Sequence, residues 1–213
     1  MPTRIVAISH ATGAGGDTIG RMIAERLGFR YIDEEIISLA AAKEGLDSDV
    51  VADAERRKSL LDRIITDLSR AGGNAAAGVG VVWDPEGAAG ATRHDELRQT
   101  IIEAIHETAM RGDVVIVAHA ASIPLAGRDD VLRVFITASV ETRVRRVGHD
   151  TRRDAASATK IVKQSDAGRA DYFQRFYRID RELPTHYDLV VNTDVLTEKD
   201  AVELVVFATR RNA

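Results

Sequence analysis

The 213-residue sequence contains no cysteine. That absence excludes a disulfide scaffold, a zinc–thiolate centre and a cysteine nucleophile, and it agrees with a reducing, cytoplasmic setting. Long hydrophobic runs are missing too. The longest apolar stretch, residues 114–126, contains His119 and Pro124 and falls short of the roughly 18 residues that a membrane span requires. The opening apolar run breaks at Ser9-His10, so no secretory leader with a cleavage site is expected there. Nor is there an excess of positive charge. A net charge of −4 and a pI near 5.9 argue against a nucleic-acid partner held by a global basic field.

What is present is the material of one globular core: 45% apolar and 29% charged residues, in a length that predicts a single domain over 1–213. The charge is unevenly spread. Residues 143–181 hold eleven Lys/Arg against five Asp/Glu, a basic island in an acidic chain that suits a small anionic ligand or a solvated helix face.

Hydrophobic patterning predicts strands at residues 4–9, 29–33, 113–118, 131–137 and 189–192, most of them apolar on both faces. Between them lie helical patterns. The first starts at Asp17 or Thr18, either of which can cap it, and closes at Gly28. Others are predicted over residues 34–43, 48–70, 94–111, about 140–147 and 154–177, with a last one capped by Thr197. Residues 72–90 contain six of the sixteen glycines and read as a mobile loop. Strands alternating with helices imply an α/β fold built on a parallel sheet.

The turn after the first strand, His10-Ala11-Thr12-Gly13-Ala14-Gly15-Gly16, offers backbone N–H groups and a helix start to an anion, which is how phosphates are commonly held. Two fingerprints match it in part. A dinucleotide pattern G-x-G-x-x-G requires glycine where Thr18 stands, although Asp33 imitates the ribose-binding acid. A P-loop, G-x-x-x-x-G-K-[ST], ending on Gly15 would have Gly16 in the lysine position and Asp17 in the hydroxyl position.

Beyond the turn, nearly the whole chain resembles the cytidylate kinase-like family of P-loop nucleoside monophosphate kinases. The resemblance rests on Gly13-Ala14-Gly15-Gly16 with Ile19-Gly20, on residues 24–28 (AERLG), on Tyr31-Ile32-Asp33 with Glu35-Ile36-Ile37, and on residues 131–136 (VLRVFI). It continues through Ser165-Asp166, Arg169 to Tyr172, Arg175-Phe176-Tyr177, residues 184–190 (PTHYDLV) and Asn192-Thr193-Asp194. It implies a three-layer fold with a five-stranded parallel sheet in the order 2-3-1-4-5 and helices on both faces. Residues 34–111 would be the monophosphate-binding excursion and 148–156 the lid. The implied reaction transfers phosphate from ATP, with Mg2+, to a nucleoside monophosphate, CMP or dCMP first. The implied partners are small nucleotides, with neither nucleic acid nor membrane.

Carried onto this chain, the resemblance gives Arg152, Arg153, Arg169 and Arg175 a place around the migrating phosphoryl group, where guanidinium forks match phosphate geometry. His10, Gly13, Ala14, Gly15, Gly16, Asp17 and Thr18 would hold ATP phosphates, Asn192 would lie near its adenine, and Asp33 and His119 would face the acceptor.

Three positions depart from the family, which often carries arginine near residues 10, 17 and 119, where this chain has His10, Asp17 and His119. A carboxylate in the first helical turn repels a triphosphate. A catalytically divergent nucleotide-binding or interaction protein on the same fold is therefore the alternative. An NAD(P)-dependent oxidoreductase is disfavoured by Thr18 and the basic lid. His10 and His119 end strands that are neighbours in the implied order, as a pH-dependent phosphate contact, a metal pair, or two loop histidines bonded to backbone. No metal-ligand spacing such as H-E-x-x-H is present.

Overall fold

The computed structural model describes residues 2–33, 88–117 and 120–211. Five strands form one parallel sheet: β1 (Ile5–His10), β2 (Arg30–Ile32), β3 (Val114–Val117), β4 (Val131–Thr137) and β5 (Leu189–Asn192), in the order β2-β3-β1-β4-β5. Register pairs Ile5 with Val114 on one side and with Val131 on the other, and His10 with Ile136. The carboxyl ends of β1, β4 and β5 therefore line up at His10, Thr137 and Asn192. The strands carry β-branched residues because both faces are covered, so no polar alternation is needed.

Helices α1 (Gly16–Leu27) and α5 (Glu198–Arg211) pack together on one face. Ile8, Ile19, Ile23, Val205 and Val206 meet there, all essentially buried. The other face is covered by α2 (Ala88–Met110) and by α4 (Ala155–Tyr177), through Ile101, Ile105 and Phe176. Full burial of each such aliphatic side chain contributes about 1.5–3 kcal/mol. Tyr172 stacks on Phe176 at 4.5 Å, so the aromatic residues of α4 serve packing.

A third, smaller cluster joins α3 (Val140–Thr151) to α4 through Val147, Ala158, Ile161 and Val162. Ser139 caps α3 by accepting from the Thr142 N–H, and Asp154 caps α4 by accepting from the Ser157 N–H.

The structure departs from sequence expectation at several ends. Helix α1 is not capped by Asp17 or Thr18: Gly15, in left-handed backbone at φ 83°, is its N-cap, with no side-chain cap. Helix α3 runs through Gly148 to Thr151, so the 148–156 segment consists mostly of two helix ends joined by residues 152–154. Helix α2 begins at Ala88, inside the glycine-rich 72–90 stretch. Three alanines around Gly90 favour helix strongly enough to absorb one glycine at about 1 kcal/mol. The helices expected over residues 34–43 and 48–70, the rest of that glycine-rich stretch, and His119 lie outside the described residues.

Candidate active site

The loop from Ala11 to Gly15 joins β1 to α1 at the carboxyl edge of the sheet. Gly13 and Gly15 both have positive φ, 82° and 83°, a region from which a Cβ is largely barred. Gly13 also has no room for one, since a Cβ would come within 2.8 Å of the Arg143 carbonyl oxygen. Gly16 is the first helical residue after the Gly15 cap, the place of the P-loop lysine. A helix start leaves its first N–H groups without intrahelical partners, which is what an anion site requires.

Two arginines of α3 brace the loop. Buried Arg143 bonds the Ala138 carbonyl through Nε at 3.2 Å and holds Asp166 of α4 with both Nη atoms at 2.8 Å. Arg146 donates to the Thr193 hydroxyl at 2.9 Å and to its carbonyl at 2.6 Å, and the Thr193 hydroxyl in turn donates to the Ala14 carbonyl at 3.0 Å. Thr12 and Ser165 share a hydroxyl–hydroxyl bond of 2.5 Å. The loop is thus fastened to α3, α4 and the end of β5 together.

Arg169 comes up beside β1. Its guanidinium holds Glu182 at 2.6 and 2.7 Å, donates to the His10 carbonyl at 3.3 Å, and lies over the rings of Phe135 and Phe173. Burial opposes its charge, but the Glu182 pair more than offsets that and holds it above the ordinary arginine range. Tyr187 donates to Glu182, and burial pushes its hydroxyl up to about 12. A cavity of about 310 Å³ opens beside this pair, lined among others by Ala11, Thr137, Arg143, Asp166, Arg169 and Glu182.

The other expected residues are placed as follows. Arg152, in left-handed backbone at φ 53°, and Arg153 sit at the tip of the α3–α4 hairpin, about 9 Å along the helix from Arg146 at 1.5 Å per residue. Arg175 lies six residues beyond Arg169 on α4, paired with Asp171 at 2.7 Å. Asp33 follows β2 and is reached by Arg21 at 3.4 Å. Asn192 ends β5 and accepts from the Asp194 N–H at 3.0 Å. Thr18 is exposed in the first turn of α1. Hydrogen bonds from the Ser139 hydroxyl and N–H hold the Asp194 carboxyl down to about 2.

His10 and Asp17, both expected at the phosphates, touch each other: Nε2 lies 3.2 Å from Oδ1, and this bond holds the Asp17 carboxyl below its usual range. Among the described residues no group of three or more His, Asp or Glu is arranged to hold a metal ion, and no helix is long and apolar enough to cross a membrane. Arg143, Arg146 and Glu182 were not singled out by sequence reasoning, and Asp166, Tyr187 and Thr193 entered it only as motif residues of the resemblance, without a bracing role. The basic island was the signal for the two arginines, but nothing local distinguished them from its other members.

The parallel order β2-β3-β1-β4-β5, with a glycine loop between β1 and α1, defines a P-loop kinase fold. The cytidylate kinase-like family model matches residues 5–195, and the chain belongs to that family. A cytidylate kinase of Shouchella clausii is 33% identical over 66% of this chain and 67% of its own. A bifunctional pantoate ligase/cytidylate kinase of Gloeobacter violaceus is 27% identical over 93% of this chain, which spans only 41% of that relative's length. Among solved structures, an uncharacterized protein of Eubacterium ventriosum superposes with a TM-score of 0.65 over 97% of this chain and 98% of that one, at 15% identity. A gluconokinase of Sinorhizobium meliloti does so at 0.51 over 99% and 93%, at 16% identity.

Proposed function

We propose that this chain is a nucleoside monophosphate kinase, transferring the γ-phosphoryl group of ATP to a nucleoside monophosphate, with CMP and dCMP as first candidates. The observation that carries this reading is the loop of residues 11–15 in a chain of the cytidylate kinase-like family: two left-handed glycines, a helix start, and a brace of α3 and α4 arginines around them. In such a reaction the protein positions the reactants and neutralises charge.

In this reading the loop N–H groups of Gly13, Gly15 and Gly16 hold the ATP phosphates, with Ala14, whose N–H bonds the Ala11 carbonyl at 2.9 Å, lining the same loop; Asn192 borders the adenine, and Asp33 and His119 border the acceptor, with residues 34–111 as the acceptor-binding excursion. Arg152 and Arg153 form the tip of a lid that reaches the transferring group. Arg169 and Arg175 support it from α4. The donor set suits Mg2+ that arrives on the triphosphate and neutralises its charge, since Mg2+ keeps several waters and seldom uses an all-protein cage. The setting is cytoplasmic and the ligands are nucleotides.

The experiment incubates the purified protein with Mg-ATP and, separately, CMP, dCMP, UMP, AMP and GMP, and follows diphosphate by chromatography. Diphosphate from a pyrimidine monophosphate is the expected product. No transfer to any acceptor at high protein concentration favours a second reading, a nucleotide-binding descendant without transfer. The observation on its side is Asp17, a carboxylate in the first turn of α1.

A further inference from the structure

Three features meet at the end of β1. The His10 ring lies across the backbone of Gly16, so that a Cβ there would overlap ring atoms. Its Nε2 reaches Asp17, in the first turn of α1, at 3.2 Å. Its Nδ1 is buried and has no hydrogen-bond partner among the described residues. Gly16 stands directly after the Gly15 cap, where a P-loop has its lysine. The space through which a lysine stem would leave residue 16 is therefore taken by an imidazole that comes from the preceding strand.

We propose that His10 is the phosphate-binding cation of this loop, latched to Asp17 while the loop is empty and released onto the polyphosphate of a bound nucleotide. This rests on the nucleotide-kinase reading above. A protonated imidazole carries two N–H donors. Asp17 accepts from one, and the other has no acceptor in the present rotamer. A swing about the side-chain torsions gives the orphaned donor a phosphate oxygen. The same motion places positive charge between Asp17 and the phosphates, which would otherwise repel.

The charges around the ring fit this role. From α1 it faces Asp17, with Arg21 one turn further along; from α4, Arg169 holds the His10 carbonyl at 3.3 Å and thereby fixes the backbone about which the ring turns. Glu182, beyond Arg169, is already engaged by that guanidinium. From β4 the ring's strand meets Ile136, which is uncharged. His119 lies outside the described residues. No lysine stands in the loop or in α1, which leaves the imidazole to supply charge at residue 16.

The test is the affinity for Mg-ATP, and separately for inorganic tripolyphosphate, measured by calorimetry from about pH 6 to about pH 8, the interval over which histidine ordinarily changes charge. In the wild-type chain affinity is expected to fall about tenfold across that interval. His10→Gln is expected to bind about tenfold more weakly near pH 6 and to lose most of that slope. Asp17→Asn is expected to bind more tightly and keep the slope. Because the ligand's own titration is common to all three proteins, the comparison isolates His10. Wild-type affinity and slope in His10→Gln overturn the proposal while leaving the kinase reading intact. Failure of both ligands to bind any of the proteins overturns the phosphate-loop reading and this proposal with it.

Should His10→Gln fail to fold, the wild-type protein provides its own readout. The His10 Cε1–H resonance is expected to shift its titration upward on addition of tripolyphosphate. A titration that does not move overturns the proposal.

Discussion

Gly16 shows how a single hydrogen atom in place of a side chain decides what a loop can hold. Its Cα faces the His10 ring at a distance that admits no methyl group, so Gly16→Ala must push the ring off Asp17. Circular dichroism is expected to show a folded protein whose melting point is lowered by the equivalent of about 1–3 kcal/mol, the usual cost of overpacking. Asp194 makes a different residue-scale case. Its carboxyl is held at about 2 against an ordinary 3.8 by the Ser139 hydroxyl and N–H. A depressed folded value means that the carboxylate stabilises the fold above the ordinary range, and that this contribution is lost as pH falls through about 4 towards about 2. Thermal melts of wild type and Asp194→Asn are expected to converge over that window and to differ above it; parallel melts at every pH contradict the assignment.

At the scale of elements, the α3–α4 hairpin has a small core of its own, and Ile161 is the largest of its fully buried members. Ile161→Ala removes about 2–5 kcal/mol of packing, and limited proteolysis is expected to cut first between residues 150 and 156. The arginines on the hairpin separate by tethering. The Arg153 side chain makes no hydrogen bond or ion pair among the described residues and lies at the tip, its backbone N–H alone donating to the Gly148 carbonyl, so Arg153→Ala is expected to leave the melting point unchanged and to lower kcat far more than nucleotide affinity. Arg169 is held by Glu182, Tyr187 and the His10 carbonyl. Arg169→Ala should therefore lower both turnover and stability. The stability loss is about 2–3 kcal/mol, reduced from the value for a fully buried pair because 24% of the side chain is exposed. Unchanged turnover in both variants removes the hairpin from the reaction.

These elements were unequally legible. Apolar runs such as Val114-Val115-Ile116-Val117 announce strands buried on both faces, and the glycine turn announces the break between β1 and α1. Thr197 caps the last helix where its sequence position indicates, and Asp154, expected as the first residue of its helix, is its N-cap. The brace around the loop was not legible. Arg143 meets Asp166 across 23 residues, and Arg146 meets Thr193 across 47. Each looks in the sequence like one more solvated arginine in a basic segment. Arg169, expected to be free for phosphate, proves to have a carboxylate partner 13 residues away.

For the whole molecule, the sheet order puts β1 at the centre, between β3 and β4, so whatever follows β1 is held by both layers and by both neighbouring strands. Hydrogen exchange is expected to be slowest at residues 5–8, 114–117 and 131–136 and faster in the edge strand β5, and Mg-ATP should slow exchange at residues 11–16 more than elsewhere. Composition alone determined that thiol chemistry is excluded, and the order of apolar and glycine-rich segments determined an alternating α/β chain with a glycine-rich turn between its first strand and first helix. These follow from short-range periodicity, which each segment carries within itself. Tertiary structure alone decided that His10 lies across Gly16 onto Asp17, that Glu182 holds Arg169, and that Thr193 closes over Ala14. The reason is geometric. A parallel sheet brings the ends of β1, β4 and β5 to one edge whatever their distance along the chain, and only there do the partners of each charge become neighbours.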